Sequence, residues 1–408
     1  MSARRDAAAP ARRFEIPALA VGVLALVACV VGAMSNPDQF FRSYLLAFVF
    51  WNGLTVGSLA VLMLQYLTGG AWGIAIRREL EAATRTLPLT TLAFLPILLG
   101  AHRLYEWTHA DVVAHDELLR KKALYLNLPF FTVRAVIAFA AWMAMAYFLN
   151  RWSLREDAQA SRELSRRMAL LSGGGLVVYA LTVTWTSVDW VMSLEPHWYS
   201  TMYGVLYMVG FALGALALAA IAVVQLSRGS AGEAPTTRLP GGQSATSLTE
   251  FVGPRIRHDI GKMLFAFTMF WAYVYFSQYL IVWMGNLPEE ISWYLARFRG
   301  GWGVVAWAIL ILHFVVPFLL LLSRRANRNP RLLVFSAALL FGMRFVDVCW
   351  LVIPAFSPAA FRIHWMDLAA PIGLGGVWLA FYARNLAARP LLPVHDPGFE
   401  EALAHGRE

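Results

Sequence analysis

Residues 168–200 have the sequence MALLSGGGLVVYALTVTWTSVDWVMSLEPHWYS. The apolar run up to residue 193 is long enough to cross a bilayer as a helix, which takes about 20 mostly apolar residues. Asp189 lies near its end, and Glu195 and His197 follow shortly after. An ionisable side chain at membrane depth costs at least a few kcal/mol, so an acid there usually marks an ion, proton or substrate site. This stretch therefore predicts a membrane helix that carries a functional acid.

The whole chain has the composition of a polytopic membrane protein. Hydrophobic residues make up 59% of its 408 residues and charged residues only 14%, whereas a soluble domain has roughly 25% charged residues. Because lipid offers the backbone no hydrogen-bond partner, apolar runs of this length are expected to be helical, and the predicted fold class is all-α. The runs predict ten spans, at about 16–34, 41–67, 88–107, 127–150, 168–193, 198–226, 260–285, 300–322, 332–354 and 364–388.

Lysine and arginine are unevenly distributed over the segments that join these spans. Most of them lie before the first span, after the last one, and in the connections on the same side. The positive-inside rule therefore predicts that both termini are cytoplasmic. The excess of basic over acidic residues then reflects membrane topology, which argues against a nucleic-acid partner. The expected order along the chain is a cytoplasmic tail at 1–15, spans 1–6 at 16–226, a flexible Ser/Gly/Pro/Thr-rich cytoplasmic linker at 227–258, spans 7–10 at 259–388 and a second cytoplasmic tail at 389–408.

The first apolar run has two interpretations, a retained helix or a cleaved signal peptide. It is longer than the apolar core of a typical signal peptide and does not end in a clean small-x-small site, which favours a retained helix. The two cysteines, Cys29 and Cys349, both lie inside apolar spans. Without a CxxCH motif or a four-cysteine set, covalent haem and a conventional iron–sulfur cluster are excluded.

Two spans share a short motif that suggests an internal repeat. Asp189 follows a valine and precedes a proline by seven residues, and Asp347 has the same neighbours at the same spacing. Spans 2–5 and 6–9 would then form two parallel four-helix bundles, flanked by spans 1 and 10. A match this short can also arise by chance.

Ionisable and aromatic side chains gather where spans 3, 4 and 5 reach the predicted outer side. Quinol oxidation needs acceptors for two hydroxyl protons and an aromatic-lined pocket, and such a set could supply both. His102 and Glu106 are four residues apart, which would stack them on one helix face. Arg134 lies two turns into its span, where Asp189 is its natural counter-charge. The candidate quinone-binding residues are His102, Glu106, Tyr125, Arg134, Asp189, Trp190, Glu195 and His197.

These residues also have plainer interpretations. The arginine–aspartate pair could simply lock two helices together, because a buried pair is weak evidence for anything more. Glu106 and His109 could be ordinary residues of a wet loop. A zinc site made by His102, Glu106 and His109 would still need a fourth ligand from elsewhere.

The second half carries a separate set of buried polar side chains. A chain of such groups through a helix bundle can relay protons with ordered water. The alternative is a structural pair of Arg344 and Asp347 beside a satisfied core histidine at 313. Haem held by two histidines would need a partner that faces His313 at the same depth, whereas His364 lies nearer the surface. The candidate proton-pathway residues are Tyr273, Gln278, His313, Arg344, Asp347, His364 and Asp367.

Five segments together resemble the ActF subunits of alternative complex III. The resemblance covers nearly all of the chain from span 2 to span 10. It implies an NrfD-like membrane protein of ten helices with two four-helix bundles, and it includes Asp189, Glu195, His197, Arg344 and Asp347. The segments are LYEWTH at 104–109, KKALYLNLPFFTVR at 121–134, DWVMSLEPHWYSTMYG at 189–204, HDIGKMLFAFTMFWAYVYFSQYLIVWMGNLPEE at 258–290 and RFVD at 344–347.

The resemblance implies a subunit of a respiratory or photosynthetic quinol:cytochrome c oxidoreductase in the bacterial inner membrane. Its expected ligand is a quinone or quinol. Its expected partners are an iron–sulfur subunit, multihaem cytochrome c subunits, an NrfD-like sister subunit and lipids, with electrons carried by those partners. Whether this chain binds the quinone, conducts protons or catalyses any step itself stays open. The alternatives are a proton-translocating module without quinone and a structural membrane anchor.

Overall fold

A computed structural model describes residues 13–229, 247–358 and 360–407, and contains helices and no β-strand within those ranges. Ten of its helices are long and apolar enough to cross a membrane. The prediction of an all-α polytopic membrane protein with ten spans is therefore confirmed. The spans are α1 Glu15–Ser35, α2 Pro37–Thr68, α3 Ala71–Leu99, α4 Leu128–Glu156, α5 Arg162–Leu194, α6 Tyr203–Gly229, α7 Pro254–Gly285, α8 Trp302–Leu322, α9 Pro330–Ala355 and α10 Met366–Ala387.

The connections contain short helices of their own. Those between α3 and α4 are Ala101–Leu104, Ala110–His115 and Glu117–Lys122, with a 3₁₀ turn at Glu106–Thr108. The others are Leu248–Phe251 before α7, Pro288–Phe298 after α7, Arg324–Arg328 before α9 and Phe399–Arg407 after α10.

Asparagine followed by proline marks the start of two spans. The side chain of Asn36 accepts a hydrogen bond from the backbone N–H of Gln39 at 3.1 Å, at the start of α2. Asn329 caps α9 in the same way, by accepting from the backbone N–H of Arg331 at 2.9 Å. The asparagine oxygen accepts from an amide that the helix leaves free, and the proline that follows has no N–H that would need an acceptor.

The spans form two four-helix bundles, α2–α5 and α6–α9, which meet where α2 packs against α6. This meeting is close because Gly57 has no side chain: a Cβ there would lie 2.2 Å from the carbonyl oxygen of Phe211. Small residues at such a crossing let two helix backbones approach within lipid. Gly22 of α1 and Gly376 of α10 allow the same kind of approach, so α1 and α10 pack as a pair against α2.

The third span differs from the prediction at 88–107. It starts at Ala71 and buries Arg77, Arg78 and Glu81 in its first half. These charges lower the local hydropathy, so the segment resembled a loop in the sequence. Ion pairs inside the protein compensate their burial. The second half of α3 breaks into Leu87–Leu92 and Leu95–Leu99, each with a proline in its first turn.

We call the end of the assembly where α1 begins and α10 ends the terminal face, and the other end the opposite face. The linker predicted at 227–258 falls largely on residues 230–246, outside the described part of the chain. Its two ends are helical, because α6 continues to Gly229 and a helix resumes at Leu248. At the terminal face the helix Phe399–Arg407 packs against α3 and α7.

Candidate functional site

Arg134 of α4 and Asp189 of α5 form a closed ion pair inside the first bundle. The Nε of Arg134 donates to Oδ2 of Asp189 at 2.7 Å, and its Nη2 donates to Oδ1 at 2.8 Å. Both side chains are buried. The contact is bidentate, the strongest geometry for a guanidinium and a carboxylate. Both oxygens of the predicted acid are therefore engaged.

Two aromatic rings cover the guanidinium of Arg134. Its Cζ lies 3.8 Å from the ring centroid of Tyr125 and 4.3 Å from that of Phe130. The ring of Phe130 is 43% exposed on the outside of the bundle. Burial and the nearby carboxylate of Asp189 raise the pKa of the Tyr125 hydroxyl above its ordinary value. Tyr125, Arg134 and Asp189 thus form one unit at the opposite end of the first bundle.

Trp190 follows the acid but faces the interior of the first bundle. Its ring lies 5.3 Å from that of Phe48 and 5.1 Å from that of Phe94, with Phe139 and Trp142 also in contact. It contributes to an aromatic core, in which each ring pair stabilises by about 0.5–1.5 kcal/mol beyond its area burial.

Glu195 does not join the Arg134 unit, contrary to the prediction. Its carboxylate binds Arg297, with distances of 2.6 Å to Nη2 and 3.2 Å to Nη1. Arg297 belongs to the helix Pro288–Phe298, is fully buried, and also donates to the carbonyl oxygen of Leu351 at 2.9 Å. The end of α5 is thereby tied to the second bundle. No local pattern in the sequence indicated this partner, because Arg297 lies 102 residues further along the chain.

Three further candidates lie in exposed positions at the opposite face. His197 binds Asp116 through Nε2 at 2.6 Å. The backbone amide of Leu119 and the His197 ring hold the pKa of Asp116 below its ordinary value. The predicted stacking of His102 and Glu106 is wrong, because the helix that carries His102 ends at Leu104 and the next residue is extended. These residues do not reach Asp189.

The second bundle contains a buried unit of Arg344, Asp347 and Tyr275. The Nη1 of Arg344 donates to Oδ2 of Asp347, and the hydroxyl of Tyr275 donates to Oδ1. The side chains of Arg344 and Asp347 are at most 2% exposed. The predicted placement of these two residues on one helix face is confirmed. This acid receives a hydroxyl, which can carry a proton to or from it.

The tyrosine predicted for this unit was the wrong one. Tyr273 is 65% exposed on the outside of α7, whereas Tyr275 faces Asp347. The buried positions Trp271, Val274 and Gln278 set the phase of α7. A residue four positions after a buried tryptophan lies on its face, so helical periodicity could have selected Tyr275.

His313 lies next to this unit in a distorted part of α8. The segment Ile309–Val315 is a π-helix, a geometry that occurs frequently at functional sites. The imidazole packs against the ring of Trp271 at 4.5 Å, and Trp271 packs against Tyr275 at 4.3 Å. Within the described part of the chain, neither ring nitrogen of His313 has a hydrogen-bond partner. A buried polar group left without a partner is costly, which makes this imidazole a candidate for proton exchange.

Buried tyrosines connect this unit to the opposite face. Tyr203 and Tyr207 lie one turn apart on α6 with ring centroids 5.1 Å apart. The ring of Tyr207 lies beside Arg344, whose Cζ is 6.0 Å from its centroid. At the other end, Tyr203 contacts Trp293, whose ring covers Arg297 at 3.8 Å. A line of buried polar groups therefore runs from the Glu195–Arg297 pair to Asp347.

His364 and Asp367 form a separate site at the start of α10. The carboxylate of Asp367 accepts from Ser43 at 2.6 Å, from Gln39 at 2.9 Å and from the backbone N–H of His364 at 2.8 Å. It lies in the first turn of α10 and ties that helix to α2. His364 and Asp367 were predicted to extend the Asp347 unit. In the described ranges, no contact joins either residue to that unit.

The metal and haem alternatives receive no geometric support. The rings of His102 and His109 lie 5.9 Å apart, but no three ligand-type side chains converge on a common point within residues 13–229, 247–358 and 360–407. His313 faces Trp271 instead of a second histidine.

An ion network near the terminal face was missed in the sequence. Arg77 binds Glu156 at 3.2 Å, while Arg78 and Arg389 bind Glu81 at 2.8 and 2.9 Å. Asp157 and Asp396 complete it. These residues were assigned to loops, and only the pairing of α3, α4 and the segment after α10 makes their burial possible.

Comparison with known proteins does not assign this chain to a family. No protein-family model matches the chain, and no curated protein matches its sequence.

A glycine on α6 offers a way to disturb Arg344 without changing any charge. A Cβ at Gly210 would lie 2.4 Å from Nη1 of Arg344. We therefore expect Gly210→Ala to push the guanidinium away from Asp347 and to destabilise the fold by about 1–3 kcal/mol, the usual cost of overpacking. Unfolding in detergent monitored by tryptophan fluorescence measures the change. Gly342→Ala on α9 is the control, since a Cβ there meets nothing within 4 Å; equal stability of the two variants would contradict the expected crowding.

Proposed function

We propose that this protein is the proton-conducting membrane subunit of a quinol-oxidising complex, and that the second bundle carries the proton path. One observation carries the proposal: a line of buried polar groups extends from the opposite face to the middle of the bundle. It passes from Glu195–Arg297 through Tyr203 and Tyr207 to Arg344, which binds Asp347. Ionisable groups inside membrane helices typically mark proton relays.

The groups in this line have complementary tasks. Asp347 is the proton acceptor, and Arg344 keeps its carboxylate compatible with burial. The hydroxyl of Tyr275 hydrogen-bonds to the same carboxylate and can pass a proton onward. His313 lies beyond Trp271, and its imidazole is the next group along the bundle that can exchange a proton. Thr268 and Asn327 are buried further along the bundle toward the terminal face.

The surrounding complex is proposed from the resemblance to ActF. The membrane would be the bacterial inner membrane, with both termini cytoplasmic, so that the opposite face would release protons outside. An iron–sulfur subunit, multihaem cytochrome c subunits and an NrfD-like sister would carry the electrons from quinol to cytochrome c. This chain would then act as the proton-conducting companion of its sister.

Quinol binding in the first bundle is the second candidate. It is favoured by the aromatic cover of Arg134, which is formed by Tyr125 and the partly exposed Phe130. Both oxygens of Asp189 already accept a hydrogen bond from Arg134. A quinol hydroxyl would share these oxygens with the guanidinium, and we assign no reaction step to this site.

Proton flux in liposomes tests the proposed function. The full-length chain, with any subunits that copurify, is reconstituted and driven by a potassium diffusion potential, and a pH-sensitive dye reports the flux. We expect His313→Phe to reduce the flux by about a hundredfold, since a positioned proton-transfer group typically contributes that much. His364→Phe is the matched control, because His364 belongs to the separate site on α10. Equal flux in the wild type and His313→Phe, or no flux in the wild type, would overturn the proposal.

A further inference from the structure

A cleft of about 610 Å³ opens between α3 and α4 close to the terminal face. Its wall is mostly apolar and is formed by side chains from both helices, namely Leu87, Pro88, Met143, Ala146 and Leu154. Its rim carries three guanidinium groups, those of Arg85, Arg151 and Arg389. A cleft that is apolar along its length and cationic at one end matches the two parts of an amphipathic anion.

The cations at the rim are not neutralised equally. Arg389 binds Glu81 at 2.9 Å. Arg85 is half-buried and donates to the carbonyl oxygen of Asn385 at 3.0 Å, and Arg151 is exposed and donates to the hydroxyl of Tyr147. Among the described residues, neither Arg85 nor Arg151 has a carboxylate within ion-pair distance. Two positive charges at this rim thus form no direct ion pair in the described ranges.

Aromatic side chains mark the depth of the cleft. Tyr147 and Phe148 of α4 are 54% and 43% exposed, and Phe148 lies 5.6 Å from Trp152 one turn later. Exposed aromatic residues near the end of a span lie at the level of the lipid head groups. The guanidinium groups therefore lie at the head-group level, and the apolar wall extends into the acyl region.

We propose that this cleft binds an anionic phospholipid of the leaflet next to the terminal face. The lipid phosphate lies between Arg85 and Arg151, and one acyl chain lies along Leu87, Pro88 and Met143, which are farther from the terminal face than these arginines. Basic pockets between membrane helices bind anionic head groups in this manner, and guanidinium groups suit phosphate oxygens because of their planar fork. A soluble anion would leave the apolar wall uncovered, while a zwitterionic lipid would bring its own cation toward the arginines.

Native mass spectrometry of the full-length protein tests the proposal. The protein in detergent is titrated with phosphatidylglycerol and with phosphatidylcholine of identical acyl chains. We expect preferential retention of phosphatidylglycerol, and a loss of about fivefold in its binding in Arg85→Gln, since each basic residue near a membrane surface contributes about that factor. Arg167→Gln is the control, because Arg167 is an exposed residue of α5 that pairs with Glu163 at 2.9 Å.

Two further variants keep the test independent of folding at Arg85. Arg151→Gln removes the exposed cation alone and should lower phosphatidylglycerol binding by a similar factor. Met143→Trp fills the apolar wall without changing charge, and should reduce binding of the lipid. Millimolar inorganic phosphate should not compete, because it cannot use the apolar wall. Equal binding of the two lipids, unchanged preference in both arginine variants, or full competition by phosphate would overturn the proposal.

Discussion

Replacing Asp347 by asparagine is expected to lower proton flux through reconstituted liposomes by about a hundredfold, the lower end of what a positioned proton-transfer group contributes. Asparagine keeps the shape of the side chain but can neither accept nor release a proton at this point of the line. Asp347 receives hydrogen bonds from both Arg344 and Tyr275, so removing its proton exchange interrupts the path between the line of tyrosines and His313. The measurement is dye-reported flux per unit of assembled protein under a potassium diffusion potential.

Two companion variants separate conduction from folding. Asp347→Glu retains a titratable group and should keep more flux than Asp347→Asn, although the longer side chain strains a buried position. Arg344→Gln combined with Asp347→Asn removes both charges, which should restore the assembled yield without restoring the flux. Normal flux in Asp347→Asn would remove this residue from any proton path. A lower yield with normal flux per assembled protein would favour the structural-anchor alternative.

Breaking the Arg134–Asp189 pair is expected to cost about 3–5 kcal/mol of stability, because it leaves one uncompensated buried charge. Asp189→Asn removes the carboxylate that binds both Nε and Nη2 of Arg134. The guanidinium then keeps only its bond to the carbonyl oxygen of Tyr125 at 3.0 Å and its two aromatic neighbours. Denaturant-induced unfolding of the detergent-solubilised chain measures the loss.

A double-mutant cycle shows whether the cost belongs to the pair. Arg134→Met with Asp189→Leu replaces both charges by apolar groups of similar size, and we expect the double variant to recover most of the stability, as buried pairs often do. Additive losses would show that the two residues act separately. Quinol turnover of the assembled complex supplies the functional readout: a raised quinol requirement in Asp189→Asn supports binding in the first bundle, whereas unchanged turnover supports a role in packing alone.

Apolar runs were enough to predict the number and type of the spans, because burial in lipid demands about 20 apolar residues and an internally bonded backbone. The same criterion failed at α3. Its first half carries Arg77, Arg78 and Glu81, and their burial depends on partners such as Glu156 and Arg389 from distant parts of the chain. Hydropathy measures each residue alone, so it cannot register charges that neutralise one another in the fold.

For the candidate sites too, local spacing predicted some side-chain contacts correctly and failed for others. Arg344 and Asp347 lie three apart on one helix, and this local spacing predicted their contact correctly. His102 and Glu106 have equally suggestive spacing, yet the helix ends between them. Tyr273 was predicted in place of Tyr275 because the prediction considered residue type and not which face of α7 each tyrosine occupies.

The sequence by itself determined an all-α membrane protein with ten spans and with acids at Asp189 and Asp347, because length, apolarity and charge are properties of the chain alone. The tertiary structure decided what those acids do. In the folded chain Asp189 pairs with Arg134, Asp347 accepts a hydrogen bond from the hydroxyl of Tyr275, and Glu195 pairs with Arg297. These pairings span 55 to 102 residues, and they follow from how the helices pack and rotate against one another, which hydropathy and local spacing do not encode.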